Sequence, residues 1–291
     1  MTATTALAAI AGAEGTPMHD HVVTGDRRIV EAWSRTRLPF EPRGSALDLR
    51  AEIRSGLDAL QPGGVLHCTY SSANRDRCDA ENVLLYNVGM RPFRSLTGEG
   101  IVFERSYDVP THPTGATFAH HYRYVVGAPI AFEHWNESTV VARWRAEAPR
   151  RCADNPAGWW AGAVAGVSRE NDALGDAAVF GLRIRVGTGR VSIASSLKPM
   201  LDGFIAALHH DPDPSPIAVE RLAAHLNLSS PAVSEMLRGE GRSPLGARII
   251  VRPYRENVQW NPADDLCVAC AVLTDDQLEP NMIEGELLAV L

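Results

Sequence analysis

The sequence predicts an α/β or α+β protein built on a mixed sheet, with two similar α/β lobes as a further expectation. Three observations lead to this prediction. Alternating stretches such as VLHCTYSSA (65–73) are typical of strands. Stretches with apolar residues at helical spacing, such as 45–60 and 197–208, are typical of helices. The order of strand-like and helix-like stretches restarts after residue 176, and strands that alternate with helices define this fold class.

The first half of the chain predicts a helical segment followed by strands. Residues 1–24 are expected to be a disordered tail, and residues 25–60 have a helical tendency that ends at Gln61-Pro62-Gly63-Gly64. The strand 65–73 is followed by further apolar or alternating runs, of which the last two are the clearer strands: NVLLYNVG, GIVFERSY, FAHHYRYVV and STVVARWRAEA. Residues 25–150 are therefore predicted to form an N-terminal lobe.

The second half repeats this pattern. Residues 151–176, rich in Gly and Ala, are predicted to be a connection, and residues 177–291 a C-terminal lobe. FGLRIRV predicts a strand, RVSIA a second strand or extended run, and the following helix is expected to begin at Ser196 with Pro199 in its first turn. ARIIVRPY and DLCVACAVL are the last predicted strands, and the tail after them is acidic.

Composition narrows the class of protein. The chain has 291 residues, 45% of them apolar and 22% charged, and no run approaches the ~18 apolar residues that span a bilayer. The N-terminus lacks the basic start of a signal peptide, so we expect a cytoplasmic protein without membrane contact, and its five cysteines suit reduced thiols. A net charge of -7 argues against a protein that coats nucleic acid, but it leaves room for a local basic groove. DNA is therefore kept as a candidate partner, and a homodimer is an open alternative.

One lysine stands out. Lys198 is the only lysine among 28 Lys and Arg residues, which indicates a strong preference for arginine in this chain. A lysine persists most easily where arginine cannot replace it, because its ammonium is a compact charge on a flexible stem. The alternative is that one lysine remained by chance. We interpret Lys198 as a candidate catalytic residue.

Acidic residues near Lys198 determine the chemistry that we predict. Asp202 lies four residues further along the predicted helix, and Asp264-Asp265 precede a predicted strand. Carboxylates hold Mg²⁺ or Mn²⁺, and an ammonium offsets the charge of a phosphate. The combination indicates divalent-metal-dependent phosphoryl transfer, with Lys198 and Asp202 as catalytic residues and Asp264 and Asp265 as metal ligands.

The stretch LRIRVGTGRVSIASSLKPMLDGF, residues 182–204, resembles the core of RusA-type Holliday-junction resolvases. That family has a strand, a basic loop, the motif Asp-x-Asp-Asn, a helix with Lys and a further Asp, and an acid pair before the next strand. The resemblance assigns the helix residues to Lys198 and Asp202 and the acid pair to Asp264-Asp265. Ser192 and Ala194 stand where the first two acids of the family belong.

The first half of the chain carries the acids that the second half lacks. VLHCTYSSANRDRCDAENVLLYNVG also has a strand, a basic loop and acid-x-acid-Asn, with Asp79, Glu81 and Asn82 in order and Leu85 at the place of the lysine. Because the resembled resolvases are dimers, we expect a fused pair of lobes that share one composite site, with Asp79 and Glu81 as metal ligands. The alternative is that Asp79 and Glu81 only cap the end of a helix or strand.

A second segment indicates a different function. VERLAAHLNLSSPAVSEMLRGEGR, residues 219–242 within an insertion at 211–243, resembles the helix-turn-helix unit of lac- or lambda-repressor-type regulators. Asn227 at the turn tolerates a positive φ, and Ser229 is suited to cap the second helix. The predicted nucleic-acid-binding residues are Ser230, Ser234, Arg238 and Arg242. The alternatives are a non-catalytic DNA- or protein-binding regulator, or two helices that only pack on the core, since residues 211–242 carry a net charge of -2.

Overall fold

The computed structural model describes residues 20–74, 77–127, 139–151, 155–175, 178–239 and 243–290. Its six α-helices are α1 (Ser45–Ala59), α2 (Phe93–Leu96), α3 (Pro156–Val164), α4 (Ile193–Ala207), α5 (Pro216–Leu226) and α6 (Ser230–Leu237). A short π-helix spans Asn82–Tyr86, and a 3-10 turn spans Asp264–Leu266. Its strands are β1 (His21–Gly25), β2 (Ile29–Ser34), β3 (Leu66–Ser72), β4 (Gly100–Ser106), β5 (His120–Val126), β6 (Thr139–Glu147), β7 (Ser168–Arg169), β8 (Phe180–Gly187), β9 (Val251–Tyr254), β10 (Asn257–Trp260), β11 (Cys267–Asp275) and β12 (Met282–Ala289).

Ten of these strands form one mixed sheet, in the order β1-β2-β5-β3-β4-β11-β8-β12-β6-β7. At the centre β4 and β11 are antiparallel, with Phe103 opposite Cys270. Strand β3 is parallel to β4 and β8 is parallel to β11, whereas the other neighbours are antiparallel. The predicted α/β class with a mixed sheet is confirmed.

The sheet contains the same arrangement twice. Reading outward from the central pair, one side has the order β4-β3-β5-β2 and the other β11-β8-β12-β6, with matching strand directions. The chain order also matches: strand, helix, strand, helical segment and two strands. The additions are β1 in the first half, and β7 and the segment with α5, α6, β9 and β10 in the second. Because β4 and β11 are antiparallel, this topology has an approximate twofold axis through their pair. The carboxyl end of β3 therefore lies at the same edge of the sheet as the amino end of β11.

The helices and the sheet enclose one hydrophobic core. Residues from both halves contribute to it, including Tyr124 on β5, Trp159 on α3 and Phe204 on α4. The rings of Trp159 and Phe204 meet edge to face with centroids 5.5 Å apart. Gly203 allows this close approach of α3 and α4, because a Cβ atom at that position would lie 2.5 Å from the Cβ of Trp159.

The outward-facing side chains of the second half form ion pairs across the strands. Arg143 on β6 lies 3.0 Å from Glu286 on β12, and Arg185 on β8 lies 3.1 Å from Asp275. Charged pairs of this kind suit the solvated face of a sheet whose other face is apolar. In this half of the sheet, arginine and carboxylate charges are matched.

The segment between α4 and β11 contains two helices and a hairpin, and its buried apolar residues belong to the same core. Helices α5 and α6 are joined at Asn227, whose φ is 56° and ψ is 43°, and the Oγ of Ser229 accepts a hydrogen bond from the amide of Ala232. Both features were expected from a helix-turn-helix sequence. The hairpin of β9 and β10 follows α6 and contacts α5. The insertion therefore consists of two helices joined at a left-handed residue and followed by a β-hairpin.

Several expected elements differ from the structure. Residues 29–34, expected to be helical, form β2, and residues 190–192 are not a strand. Helix α4 begins at Ile193 with Ser192 as its N-cap, so Ser196 is buried inside the helix and Pro199 follows its first turn. The helix begins earlier because Ile193 and Leu197 are both buried and extend its apolar face.

The expected tail and connection also contain regular structure. Residues 21–24 belong to β1, whereas residues 1–19 lie outside the described residues. The connection at 151–176 contains α3 and β7, and the acidic tail contains β12, a central strand of the second half. The thiols of Cys68, Cys78, Cys267 and Cys270 are free, as the composition indicated. Across the described ranges, no helix has both the length and the apolar character to cross a membrane.

Candidate functional site

Four carboxylates converge on the ammonium of Lys198 at the edge where β3 ends and β11 begins. The Nζ atom lies 2.6 Å from Asp264 Oδ2, 2.9 Å from Asp202 Oδ1, 3.1 Å from Asp79 Oδ2 and 3.7 Å from Glu81 Oε2. Asp79 and Glu81 belong to the first half of the chain, whereas Lys198, Asp202 and Asp264 belong to the second. These five residues are called the Lys198 cluster below.

The first half presents its two acids from the segment that follows β3. Asp79 Oδ1 accepts a hydrogen bond from the amide of Asn82 at 3.1 Å, so Asp79 caps the π-helix while its other oxygen faces Lys198. Glu81 immediately precedes the π-helix, and its side chain is 2% exposed. The two alternatives for Asp79 are therefore compatible, because it both caps a helix and contacts the lysine. Single turns of π-helix occur frequently at functional sites.

Helix α4 presents Lys198 and Asp202 on one side, as their spacing of four residues predicts. Lys198 is anchored by its backbone as well, because its amide donates a hydrogen bond to the hydroxyl of Tyr86 at 3.2 Å. Tyr86 is the last residue of the π-helix in the first half. This bond joins the π-helix to α4 and fixes the position from which the lysine side chain extends.

Asp264 reaches the cluster from the start of the 3-10 turn before β11. Ala263, which precedes it, has a left-handed backbone with φ 65° and ψ 32°. Asp265, the other member of the predicted acid pair, is partly exposed, and its carboxylate is not among the ion-pair partners of Lys198. Only one of the two adjacent acids therefore lies in the cluster.

Burial makes the charges of the cluster costly. Burial raises the pKa of Asp79 and of Asp202 from 3.8 to about 6, against the opposing effect of Lys198. Burial also raises the pKa of Glu81 well above its ordinary value. Burial alone would raise the pKa of Asp264, but Lys198 and a hydrogen bond with Asp79 lower it below 3.8. Of this pair, Asp79 therefore takes up a proton at a higher pH than Asp264 does.

The lysine stays charged. Burial lowers the pKa of Lys198, but the four carboxylates outweigh this effect and raise the pKa above its ordinary value, with Glu81 and Asp79 making the largest contributions. One ammonium is therefore shared by four acidic groups. Burial raises the pKa values of Asp79, Glu81 and Asp202, and the single positive charge of Lys198 is not enough to reverse that rise.

Two carboxylate oxygens in the cluster are buried without a hydrogen-bond partner, Glu81 Oε1 and Asp202 Oδ1. The Asp202 oxygen does face Lys198 at 2.9 Å, so it has an ion-pair contact that lacks hydrogen-bond geometry. Glu81 Oε1 has neither kind of contact among the described residues. An unpartnered carboxylate oxygen in a buried site is an acceptor for a cation or a proton.

The donor set fits a divalent cation chemically, because Mg²⁺ and Mn²⁺ prefer carboxylate oxygens. With these side-chain positions, no group of three or more potential ligands in the described part of the chain is arranged around a common metal position. The ammonium of Lys198 lies at the point on which the carboxylates converge. Since the lysine stem is flexible, a cation could take this place when the ammonium turns aside.

The predicted nucleic-acid-binding residues lie elsewhere, on α6 and after it. Ser230 and Ser234 are partly exposed and Arg238 is exposed, whereas Arg242 lies outside the described residues. Val233 and Leu237 are buried and hold α6 against the core. Ser230, Ser234 and Arg238 are thus accessible on α6 or directly after it, and none of them is an ion-pair partner of Lys198.

No protein-family model matches the sequence. No curated protein matches it in sequence either.

Tyr86 is the site residue that the sequence reasoning did not identify. It lies in the run NVLLYNVG, whose apolar residues predict a strand as readily as a helix. A helical interpretation of that run would place Asn82 and Tyr86 on one side, one turn after the acids. The acid-x-acid-Asn motif before it was the available signal for a helix start, because such residues favour helix N-termini.

Proposed function

We propose that this protein is a divalent-metal-dependent phosphoryl-transfer enzyme that cleaves phosphodiesters in nucleic acid. The convergence of four carboxylates from both halves of the chain on Lys198 carries this proposal. The Lys198 cluster brings together acids and a lysine that are up to 185 residues apart, from Asp79 to Asp264. A structural ion pair needs one acid for one lysine, so three additional buried acids require another explanation.

Charge supports the choice of a divalent cation. Fully ionised, the four carboxylates and one ammonium of the cluster have a formal charge of -3. Such a charge in a buried site must be compensated by protons or by cations. Asp79, Glu81, Asp202 and Asp264 would hold Mg²⁺ or Mn²⁺, with Glu81 Oε1 as the oxygen that has no partner without it. When bound, the cation would stabilise charge on the phosphoryl oxygens and acidify a water molecule.

Lys198 has a separate role in this proposal. Its ammonium would turn from the carboxylates towards a phosphate oxygen and offset the negative charge that develops there. The hydrogen bond from its backbone amide to Tyr86 holds the helix while the side chain moves. Arginine would fit this role poorly, because its planar guanidinium is bulkier and cannot occupy the same point between carboxylates.

Calorimetric titration with Mn²⁺ and Mg²⁺ tests metal binding, using two adjacent residues as a matched pair. Asp264→Asn should weaken binding at least tenfold, because Asp264 lies in the cluster. Asp265→Asn, which removes the same charge one residue away, should bind as wild type does. Equal effects of the two variants, or no heat of binding in the wild type, would contradict a metal site in the cluster.

Cleavage of labelled branched and linear DNA in the presence of Mg²⁺ tests the activity. Lys198→Arg should fold and bind metal but lose most of the cleavage, whereas Asp265→Asn should retain it. Cleavage that persists in Lys198→Arg would contradict the role of the lysine. Metal binding without cleavage of either DNA would contradict the choice of substrate.

The geometry of α5 and α6 favours a second candidate function, binding of DNA or a protein without catalysis. Its support is the left-handed Asn227 between the two helices and the capping by Ser229. The acidic balance of the insertion opposes DNA binding. The double variant Arg238→Ala, Arg242→Ala should abolish an electrophoretic shift of DNA if α6 contacts it, and an unchanged shift would contradict this function.

A further inference from the structure

A cavity of about 190 Å³ adjoins the Lys198 cluster. Cys78 lines the cavity, and the next residue in the chain, Asp79, belongs to the cluster. The other lining residues include two arginines, Arg37 and Arg105, and the polar side chains of Tyr70 and Ser72. No lining residue is a carboxylate, so a cavity rich in donors is linked to the cluster of acids through the adjacent residues Cys78 and Asp79.

The guanidinium of Arg105 is the unusual group in this cavity. Arg105 is 7% exposed, and its Nη1 donates a hydrogen bond to the carbonyl of Cys78 at 3.1 Å. Its Nη2 donates to the hydroxyl of Tyr107. Its Nε atom is buried and has no hydrogen-bond partner. A buried guanidinium remains charged, so an unpaired N–H on it is costly unless a ligand accepts from it.

Neither arginine has a carboxylate partner within 4 Å in the described ranges, in contrast to the matched pairs of the second half. Arg143 and Arg185 both lie against acids across the sheet. Arg37 is exposed, so the argument depends on the buried Arg105, whose unpaired N–H beside a second guanidinium on one cavity indicates an anionic ligand. Several donors around one space suit a tetrahedral oxyanion with many acceptor oxygens better than a carboxylate with two.

We propose that this cavity binds a backbone phosphate of the substrate, next to the phosphodiester that the Lys198 cluster cleaves. The first part of the inference, a phosphate site, stands on the cavity and Arg105 alone. The second part, a backbone phosphate adjacent to the cleaved one, rests on the proposed function. Arg37 and Arg105 would hold the flanking phosphate and so place its neighbour at the carboxylates.

The thiol of Cys78 provides a direct test on the wild-type protein. Its alkylation by iodoacetamide, followed by peptide mass spectrometry at mildly alkaline pH without metal, reports occupancy of the cavity. Orthophosphate should slow the reaction of Cys78 several-fold, whereas chloride at the same ionic strength should not. Arg37→Gln should weaken the protection by phosphate about tenfold, the effect of losing one charge-assisted hydrogen bond. Arg252→Gln is the matched control, because Arg252 is an exposed arginine on β9. Orthophosphate should protect Cys78 in this variant as it does in wild type.

Two further comparisons separate the parts of the proposal. A short single-stranded oligonucleotide should protect Cys78 at lower concentration than orthophosphate or a nucleoside monophosphate. Protection by orthophosphate but not by the oligonucleotide would overturn the backbone-phosphate assignment, and protection by neither would overturn the phosphate site. The alkylation assay contains no metal. If phosphate fails to protect Cys78 while Mg²⁺ binds normally in calorimetry, the phosphate site is contradicted and the metal-dependent function is not. Protection without any Mg²⁺ binding would keep the phosphate site and contradict the metal-dependent function.

Discussion

Replacing Glu81 by Gln should make the metal-free protein more stable and its response to metal weaker. Glu81 is 2% exposed, and its Oε1 has no hydrogen-bond partner among the described residues. Its contact with Lys198, at 3.7 Å, is the longest of the four in the cluster. Gln keeps the shape of the side chain and removes the charge, and its amide can donate to the neighbouring carboxylates.

The size of the gain follows from the cost of the buried oxygen. A buried polar group without a partner costs about 1–3 kcal/mol, and more when it is charged. We therefore expect Glu81→Gln to raise the free energy of unfolding by about 1–3 kcal/mol at pH 7, which corresponds to a melting temperature roughly 2–6 °C higher. Burial raises the pKa of Glu81. Protonated Glu81 therefore contributes its full stability to the folded protein below the ordinary pKa of a Glu. This contribution is lost as the pH rises through the raised pKa of Glu81 in the folded state. The advantage of Gln should consequently shrink at pH 5 and grow above it.

Urea unfolding at pH 5 and pH 7, with and without Mg²⁺, measures both effects. In wild type Mg²⁺ should raise the midpoint, and in Glu81→Gln it should do so much less. Glu286→Gln is the control, because Glu286 is a partly exposed partner of Arg143 and its change should cost at most about 1 kcal/mol at either pH. If Glu81→Gln lowers the stability at pH 7 by 1 kcal/mol or more, the cluster is a stabilising salt bridge and the reasoning is wrong.

Three further outcomes test the site and the packing behind it. Lys198→Met should lower the free energy of unfolding in urea without metal by about 3–5 kcal/mol, because it leaves buried carboxylates without a counter-charge. At pH 5 the lost stability should recover, because protonation of the carboxylates then replaces the ammonium. Burial raises the pKa of Asp79 and Asp202 to about 6, so their contribution to stability is present below pH 3.8 and lost as pH rises through 6. Calorimetric melting should therefore show Mg²⁺ stabilisation that appears as pH rises through 6, and a pH-independent effect would contradict it. Gly203→Ala should lower stability by about 1–3 kcal/mol, because its Cβ would lie 2.5 Å from the Cβ of Trp159, and an unchanged urea midpoint would contradict that contact.

The elements that could be predicted from the sequence are those with a local signal. Residues 45–59 and 197–207 have apolar residues at helical spacing and form helices, and the alternating run at 66–72 forms β3. The turn at Asn227 was also predictable, because few residues other than Gly adopt a positive φ easily. Each of these features depends on residues within a few positions of one another.

Elements set by distant contacts were predicted less well. The apolar spacing of residues 29–34 predicts a helix, yet these residues form β2 because they pair with β1 on one side and β5 on the other. Strand β12 was hidden among acidic residues, and Glu284 and Glu286 point to arginines on β6 and β8 that no local pattern reveals. In both cases the pairing strands supply the environment that makes the sequence suitable for a strand.

The candidate site shows the same division. The spacing of Lys198 and Asp202 predicts their contact, and it is found at 2.9 Å. That Asp79 also reaches the lysine, at 3.1 Å, was only a hypothesis from the comparison of the two halves. Nothing in the local sequence distinguishes Asp264 from Asp265, because the choice between them is made by the 3-10 turn and the left-handed Ala263.

Among the described residues, the edge of the sheet that the approximate twofold axis relates to the Lys198 cluster carries different side chains. The approximate twofold axis relates the carboxyl end of β3 and the amino end of β11 to the carboxyl end of β8 and the amino end of β4. A cavity of about 220 Å³ lies at this second pair of strand ends. Its lining contains Ser192 and Thr97 but no carboxylate. On the first half, Leu85 is fully buried at the place that corresponds to the lysine. Asp79 and Glu81 of the first half meet Lys198, Asp202 and Asp264 of the second half, and the cluster forms at this contact between the two halves. If the proposed function holds, one chain can act on one phosphodiester at a time, and simultaneous cleavage of two strands would require two chains.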